Sequence, residues 1–186
     1  MTFSFHRGSI ALDFVGTVGS RASPEPEERL PGPSALAVWL AEAKLAAGTH
    51  PATADLERAR ALREAIYVVA TSMLSGKSPD RGALLTINRA AAGLRFGAPR
   101  LGPSGRVRWV TRRPVQVALA RIAVDAMERL EADVDRLTRC ELEGCGALLL
   151  SRSRSDRRRW CSMETCGNRA KAVAYRARRR GQADAE

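Results

Sequence analysis

Cysteine is absent from the first 139 residues of this 186-residue chain. Histidine occurs twice, as His6 and His50, and aromatic residues make up only 5% of the composition. No apolar run approaches the roughly 18 residues that a membrane span requires. The stretch Met1–Phe14 lacks the charged start and continuous apolar core of a secretory signal. No Ser/His/Asp set, phosphate-cradling glycine loop or HExxH motif is present, so the common catalytic signatures are missing. The two histidines are too isolated to be given a role, and Asp13 and Asp125 read as lone structural acids. These absences predict a cytoplasmic protein with no membrane partner, in a compartment that keeps thiols reduced.

The cysteines that do exist are concentrated. All four lie between residues 140 and 166, spaced Cys140-x4-Cys145-x15-Cys161-x4-Cys166. Two thiol pairs separated by a loop-length spacer suit one tetrahedral zinc ion. Zinc is borderline-soft and accepts thiolate sulfur, and four sulfurs leave no open position for a substrate, so the predicted site is structural. The segment has few apolar residues beyond Leu148, Leu149, Leu150 and Trp160, so metal binding would supply much of its folding free energy.

Charge is concentrated in the same place. The chain carries a formal net charge of +11. Residues 151–180 hold eleven Arg or Lys against two acids, Asp156 and Glu164, and the remainder nets only +2. A basic segment of this density is the footprint of a polyanion binder. Arg is suited to the role because its planar fork matches phosphate and can also read guanine. Arg154, Arg157, Arg158, Arg159, Arg169, Lys171 and Arg176 are the candidate nucleic-acid contacts. Trp160 could stack on a base or pack against the zinc knuckle. Asn168 reads as a turn or helix-capping residue.

The rest of the chain is mainly helical. Ile10–Val18 reads as a strand, and 20–33 as a proline-rich loop. Helices are expected from near Ser34, from Thr53 as N-cap to Gly76, from about Asp80 to Ala92, and from Pro114 to about Leu137. Between the last two, the runs LRF and VRWV flank Gly102-Pro103-Ser104-Gly105 and predict a β-hairpin. A final basic helix runs from about Cys166 to Arg180. The expected fold is therefore mainly α (α+β). A helical domain with a small β component spans 1–137, and a four-cysteine zinc finger ending in a basic helix spans 138–182.

From Cys140 onward, RRRWCSM, TCGNRAK and Tyr175-Arg176-Ala177-Arg178 closely resemble the CGNR zinc finger, named for Cys166-Gly167-Asn168-Arg169. More weakly, LDFVGT at Leu12–Thr17 and LREAI at Leu62–Ile66 make the N-terminal region similar to the ABATE domain. That domain precedes this finger in a family described as stress-induced transcription regulators. Two positions depart from the family pattern. Gly16 stands where the LDFxNT motif has Asn, and Ser151 follows the finger strand where an Asp is usual. The resemblance implies zinc binding, DNA binding and transcription regulation.

Together these readings predict a zinc-dependent regulator that binds double-stranded DNA. An RNA-binding module is the alternative, although the basic segment offers few aromatic stacking platforms. A small-molecule enzyme in the N-terminal domain is a third reading. That domain could also bind a small-molecule effector or form a homodimer. Asp13, Thr17 and Arg63 are its candidate pocket residues, against the simpler reading that they are hydrogen bonders at the edge of the core.

Overall fold

A computed structural model describes residues 3–153, 155 and 157–183, excluding the side chains of 177 and 179–183. The run expected as the first strand is instead a short helix, α1, at Ile10–Val15. Ser9 caps it, with Oγ accepting from the Leu12 N–H at 3.1 Å. Ala11 through Val15 are all buried. A helix enclosed on every side shows no polar face, so its sequence does not display a helical period.

A small ladder follows, with β1 at Val18–Gly19 antiparallel to β2 at Glu27–Glu28. Helix α2 spans Pro33–Glu42, with proline in its first turn, where an amide hydrogen would have no partner. Helix α3 spans Thr53–Leu74 and α4 spans Arg81–Ala91. The residue before α3 is Ala52 rather than Thr53, and its N–H is taken by the Asp55 carboxylate at 2.9 Å. The expected hairpin forms between β3 at Gly97–Leu101 and β4 at Val107–Thr111. Leu94–Phe96, expected as part of its first strand, lies in a 3₁₀ turn instead.

Helix α5 begins at Pro114 as expected but ends at Ala132, short of Leu137. Asp133 stops it: its carboxylate holds Arg129 and Arg136, each at 2.8 Å, and a 3₁₀ turn follows. Leu137 then enters β5, Leu137–Arg139, which pairs antiparallel with β6, Leu148–Leu150. The chain closes with α6 at Asn168–Ala183. No helix among the described residues is long and apolar enough to cross a membrane.

Helices α1, α3, α4 and α5 enclose the main core around Phe14, Leu62, Ile66 and Ile122, and α2 adds Trp39. The Trp39 and Phe14 rings sit 4.9 Å apart and tilted, an arrangement favoured by aromatic quadrupoles. Strand β6 divides its side chains between two cores. Leu148 and Leu150 enter the main core, whereas Leu149 enters a second cluster with the cysteines. Successive side chains of a strand point to opposite faces, so three consecutive leucines can serve both.

Candidate metal centre and basic surface

The two cysteine pairs sit on two knuckles. In the first, the Cys145 N–H reaches the Leu142 carbonyl at 3.1 Å and the Cys140 N–H reaches the Ala147 carbonyl at 2.8 Å. Gly146 adopts φ +64°, and a Cβ there would come within 3.0 Å of the Ala22 nitrogen. Glycine is therefore required both for the left-handed backbone and for the close approach of the 20–25 loop. In the second knuckle, Ser162 Oγ accepts from the Thr165 N–H at 3.3 Å and opens a π-turn at Met163–Gly167. Cys166 lies inside this turn, just before α6 rather than at its head. Asn168 donates to the Glu164 carbonyl at 3.0 Å, so it closes the turn.

The four sulfurs lie within 4.8 Å of one another. The Cys145–Cys161, Cys161–Cys166 and Cys145–Cys166 separations are 3.7, 3.4 and 3.6 Å. Tetrahedral zinc with Zn–S near 2.3 Å requires sulfurs about 3.8 Å apart, so the set fits. The Cys161 N–H also points at Cys140 Sγ, 3.5 Å away. With no cation, sulfurs this close must share their charge. Hydrogen bonds from Cys145 and Cys161 hold Cys140 down at about 2, while the Cys140 sulfur and burial push Cys145 up to about 11. Cys161 is pushed up as well, first by Cys140. A divalent cation is what allows all four to be thiolates together. The cluster is thus a structural zinc site formed by Cys140, Cys145, Cys161 and Cys166.

Trp160 is half-buried against this cluster, consistent with its packing role. The Arg159 guanidinium lies over its ring at 4.8 Å and pairs with Glu141 at 2.7 Å. Arg158 donates to the His6 carbonyl at 2.8 Å and to the Cys161 carbonyl at 3.0 Å. Arg157 reaches the Asp135 carbonyl at 3.4 Å. Three of the expected nucleic-acid contacts therefore also bind the finger to itself, to the turn after α5 and, through Arg158, to the N-terminal segment. Arg154 lies outside the described residues. Arg169, Lys171 and Arg176 are exposed on α6, and no ion pair involves them among the described residues.

Both departures from the family pattern are filled by local contacts. At Gly16 the Arg7 guanidinium occupies the space of a side chain, and a Cβ would lie 2.4 Å from its Cζ. Ser151 is buried, and its Oγ accepts the Arg158 N–H at 3.0 Å.

Asp13, Thr17 and Arg63 are buried but occupied by internal partners. Thr17 donates to the Phe14 carbonyl at 2.7 Å, and Asp13 accepts the Arg7 N–H at 2.9 Å. Arg63 pairs with Glu28 at 2.7 Å and Glu64 at 2.8 Å. None of the three lines the tight cavity against Leu12 and Ile66 or the groove beside Arg157 and Arg158.

Burial pushes the Asp13 carboxyl up to about 6. Its unfolded value is near 3.9, so the folded state holds the proton more tightly. That contribution to stability is full below about pH 4 and is lost as pH rises through about 6, at most about 3 kcal/mol. Urea midpoints measured across this range should fall more steeply with rising pH for the native chain than for Asp13→Asn. Parallel curves would remove Asp13 as the cause.

Two family models match the chain. One, ABATE, described as "Putative stress-induced transcription regulator", matches residues 8–133, and the CGNR zinc finger matches residues 136–179. Neither is the model of an enzyme family. No curated protein matches.

Proposed function

This chain belongs to the ABATE family, and on that premise we propose that it is a zinc-dependent, cytoplasmic transcription regulator that binds double-stranded DNA through its finger. The division of labour runs near residue 137: the helical body supports, and residues 138–182 bind. The observation that carries this reading is α6. It is a 16-residue helix rooted in the zinc knuckle, with Val173 60% and Tyr175 57% exposed alongside its exposed cations. Arg169 and Arg176 fall on one face and Lys171 and Arg178 on the other, and the narrow stripe of small apolar residues between them, Ala170, Val173 and Ala174, is left largely exposed. Such a helix gains little from its own fold and has exposed cations available for phosphates.

Arg157, Arg158 and Arg159 add positive potential beside the knuckle, but their internal bonds make them poor probes of binding. Replacing Arg169, Lys171 and Arg176 by Ala is the cleaner test. Duplex affinity should fall by about tenfold or more across sequences, and the salt dependence should flatten by about one unit of slope per lost phosphate contact. The assay is fluorescence anisotropy at several salt concentrations, with zinc and after chelation. Unchanged affinity, or stronger binding to structured RNA than to duplex DNA, would overturn the proposal.

A further inference from the structure

Between Asp80 and Asp125 the sequence contains no acid at all, yet it contains nine arginines. The modest +2 outside the C-terminal segment conceals this region, because acids elsewhere offset it. Most of these arginines surround the β3–β4 hairpin. Arg100, Arg106 and Arg108 are exposed on its strands and turn, and Arg95, Arg112 and Arg113 are exposed at its base. Among the described residues, none of the six forms an ion pair.

The hairpin itself is built to project. Its base is held where Gly97 approaches Val117, and a Cβ there would meet that side chain at 3.0 Å. Trp109 is half-buried there, with the Arg121 guanidinium over its ring at 5.3 Å. Beyond this point the ribbon is uncovered. Leu101 is 74% exposed, Val107 62% and Val110 56%. β3 pairs only with β4, so both outer edges of the ribbon are open among the described residues. Exposed apolar residues on an open ribbon invite aggregation unless charge or a partner covers them. Here the charge is of one sign only.

We infer that the β3–β4 hairpin is a second duplex-DNA contact, a basic ribbon arm that enters a groove while the finger binds elsewhere on the same duplex. The inference rests on the reading that the chain binds duplex DNA. A two-stranded ribbon fits the major groove, about 12 Å wide. Arg100 and Arg108 are cross-strand partners, so they form one cationic face of the ribbon. Leu101 and Val107 are likewise paired at its tip, where they can meet thymine methyl groups or base steps. The spacing also suits one duplex. The hairpin joins α5 at Pro114 and the finger follows its end at Ala132. A 19-residue helix is about 28 Å long, on the order of one turn of DNA.

The test uses the full zinc-loaded chain and a mixed-sequence duplex. An arm variant, R100A/R106A/R108A, is compared with the finger variant R169A/K171A/R176A and with a tip variant, L101S/V107S. All the replaced side chains are exposed, and unchanged thermal melting confirms that each variant folds. The arm variant should lose about tenfold or more in duplex affinity, with a salt slope lower by about 2–3. If it binds as the native chain does while the finger variant does not, the arm inference falls and the finger reading stands. If the arm variant loses binding and the finger variant does not, the arm stands and the finger reading falls. No duplex binding by the native chain overturns both. Two further outcomes would reassign the ribbon and overturn the inference. One is loss of binding to phosphatidylserine vesicles by the arm variant with duplex affinity intact. The other is a dimer that becomes a monomer in the tip variant with duplex affinity intact.

Discussion

Stripping zinc with a strong chelator is expected to unfold the finger while the helical body remains standing. The buried cluster of the finger consists of Cys140, Ala147, Leu149, Cys161 and Cys166, and three of those five are metal ligands. Within that cluster, among the described residues, Ala147 and Leu149 are the buried apolar side chains independent of the metal, with Leu142 and Trp160 half-buried beside them. Burying a leucine contributes about 1.5–3 kcal/mol, whereas ordering each residue's backbone costs about 1–2 kcal/mol. Two knuckles cannot be held on that balance. Structural zinc in finger peptides contributes on the order of 10–16 kcal/mol, which decides the outcome. Hydrogen exchange should show amides of 140–147 and 158–167 losing protection while those of α3, α5 and Leu150, which bonds the Arg7 carbonyl, keep theirs. Duplex affinity should drop with it, because among the described residues α6 packs chiefly on the Met163–Gly167 turn that holds Cys166. Full protection after chelation would refute the structural role of the metal. Cys166→Ser should show the same pattern in milder form.

How far the sequence disclosed this molecule depends on the kind of signal. The zinc ligands were legible because chemistry restricts them to cysteine at a spacing that a knuckle can close. The helices α2 to α5 were legible because each has a half-buried face with a 3.6-residue period. Helix α1 was not, because Ala11–Val15 are all buried and a short apolar run reads equally as a strand. The end of α5 was missed for a different reason. The apolar period carries on past it to Leu137, but Asp133 draws in Arg129 and Arg136 and ends the helix first. The basic arm was missed by averaging, since charge summed over everything outside 151–180 hides a stretch without acids. Scanning for acid-free windows would have found it. Candidate contacts chosen from charge alone were also too generous. Nothing in the sequence of 157–159 reveals that Arg158 bridges His6 and Cys161, or that Arg159 is taken by Glu141.

Adjacent residues on β6 should report separately on the two cores. Leu148 and Leu149 are both fully buried. Truncation of a buried leucine costs about 2–5 kcal/mol, depending on how far the cavity collapses. Leu148→Ala opens its cavity among the helices, so it should lower the unfolding midpoint of the body and leave zinc affinity unchanged. Leu149→Ala opens its cavity against the cysteines. The loss then falls on the zinc-bound state of the finger, and zinc affinity should weaken by about thirtyfold or more, with the body midpoint nearly unmoved. Competition with a chromophoric chelator reads the zinc affinity, and urea unfolding followed by far-UV circular dichroism reads the body midpoint. The expected crossover requires that β6 joins two separately cooperative units, each taking one face of the strand. Equal effects of both variants on both measurements would mean that the body and the finger fold as one unit. In that case zinc would stabilise α3 and α5 as directly as it stabilises the knuckles, and chelation would strip protection from the whole chain.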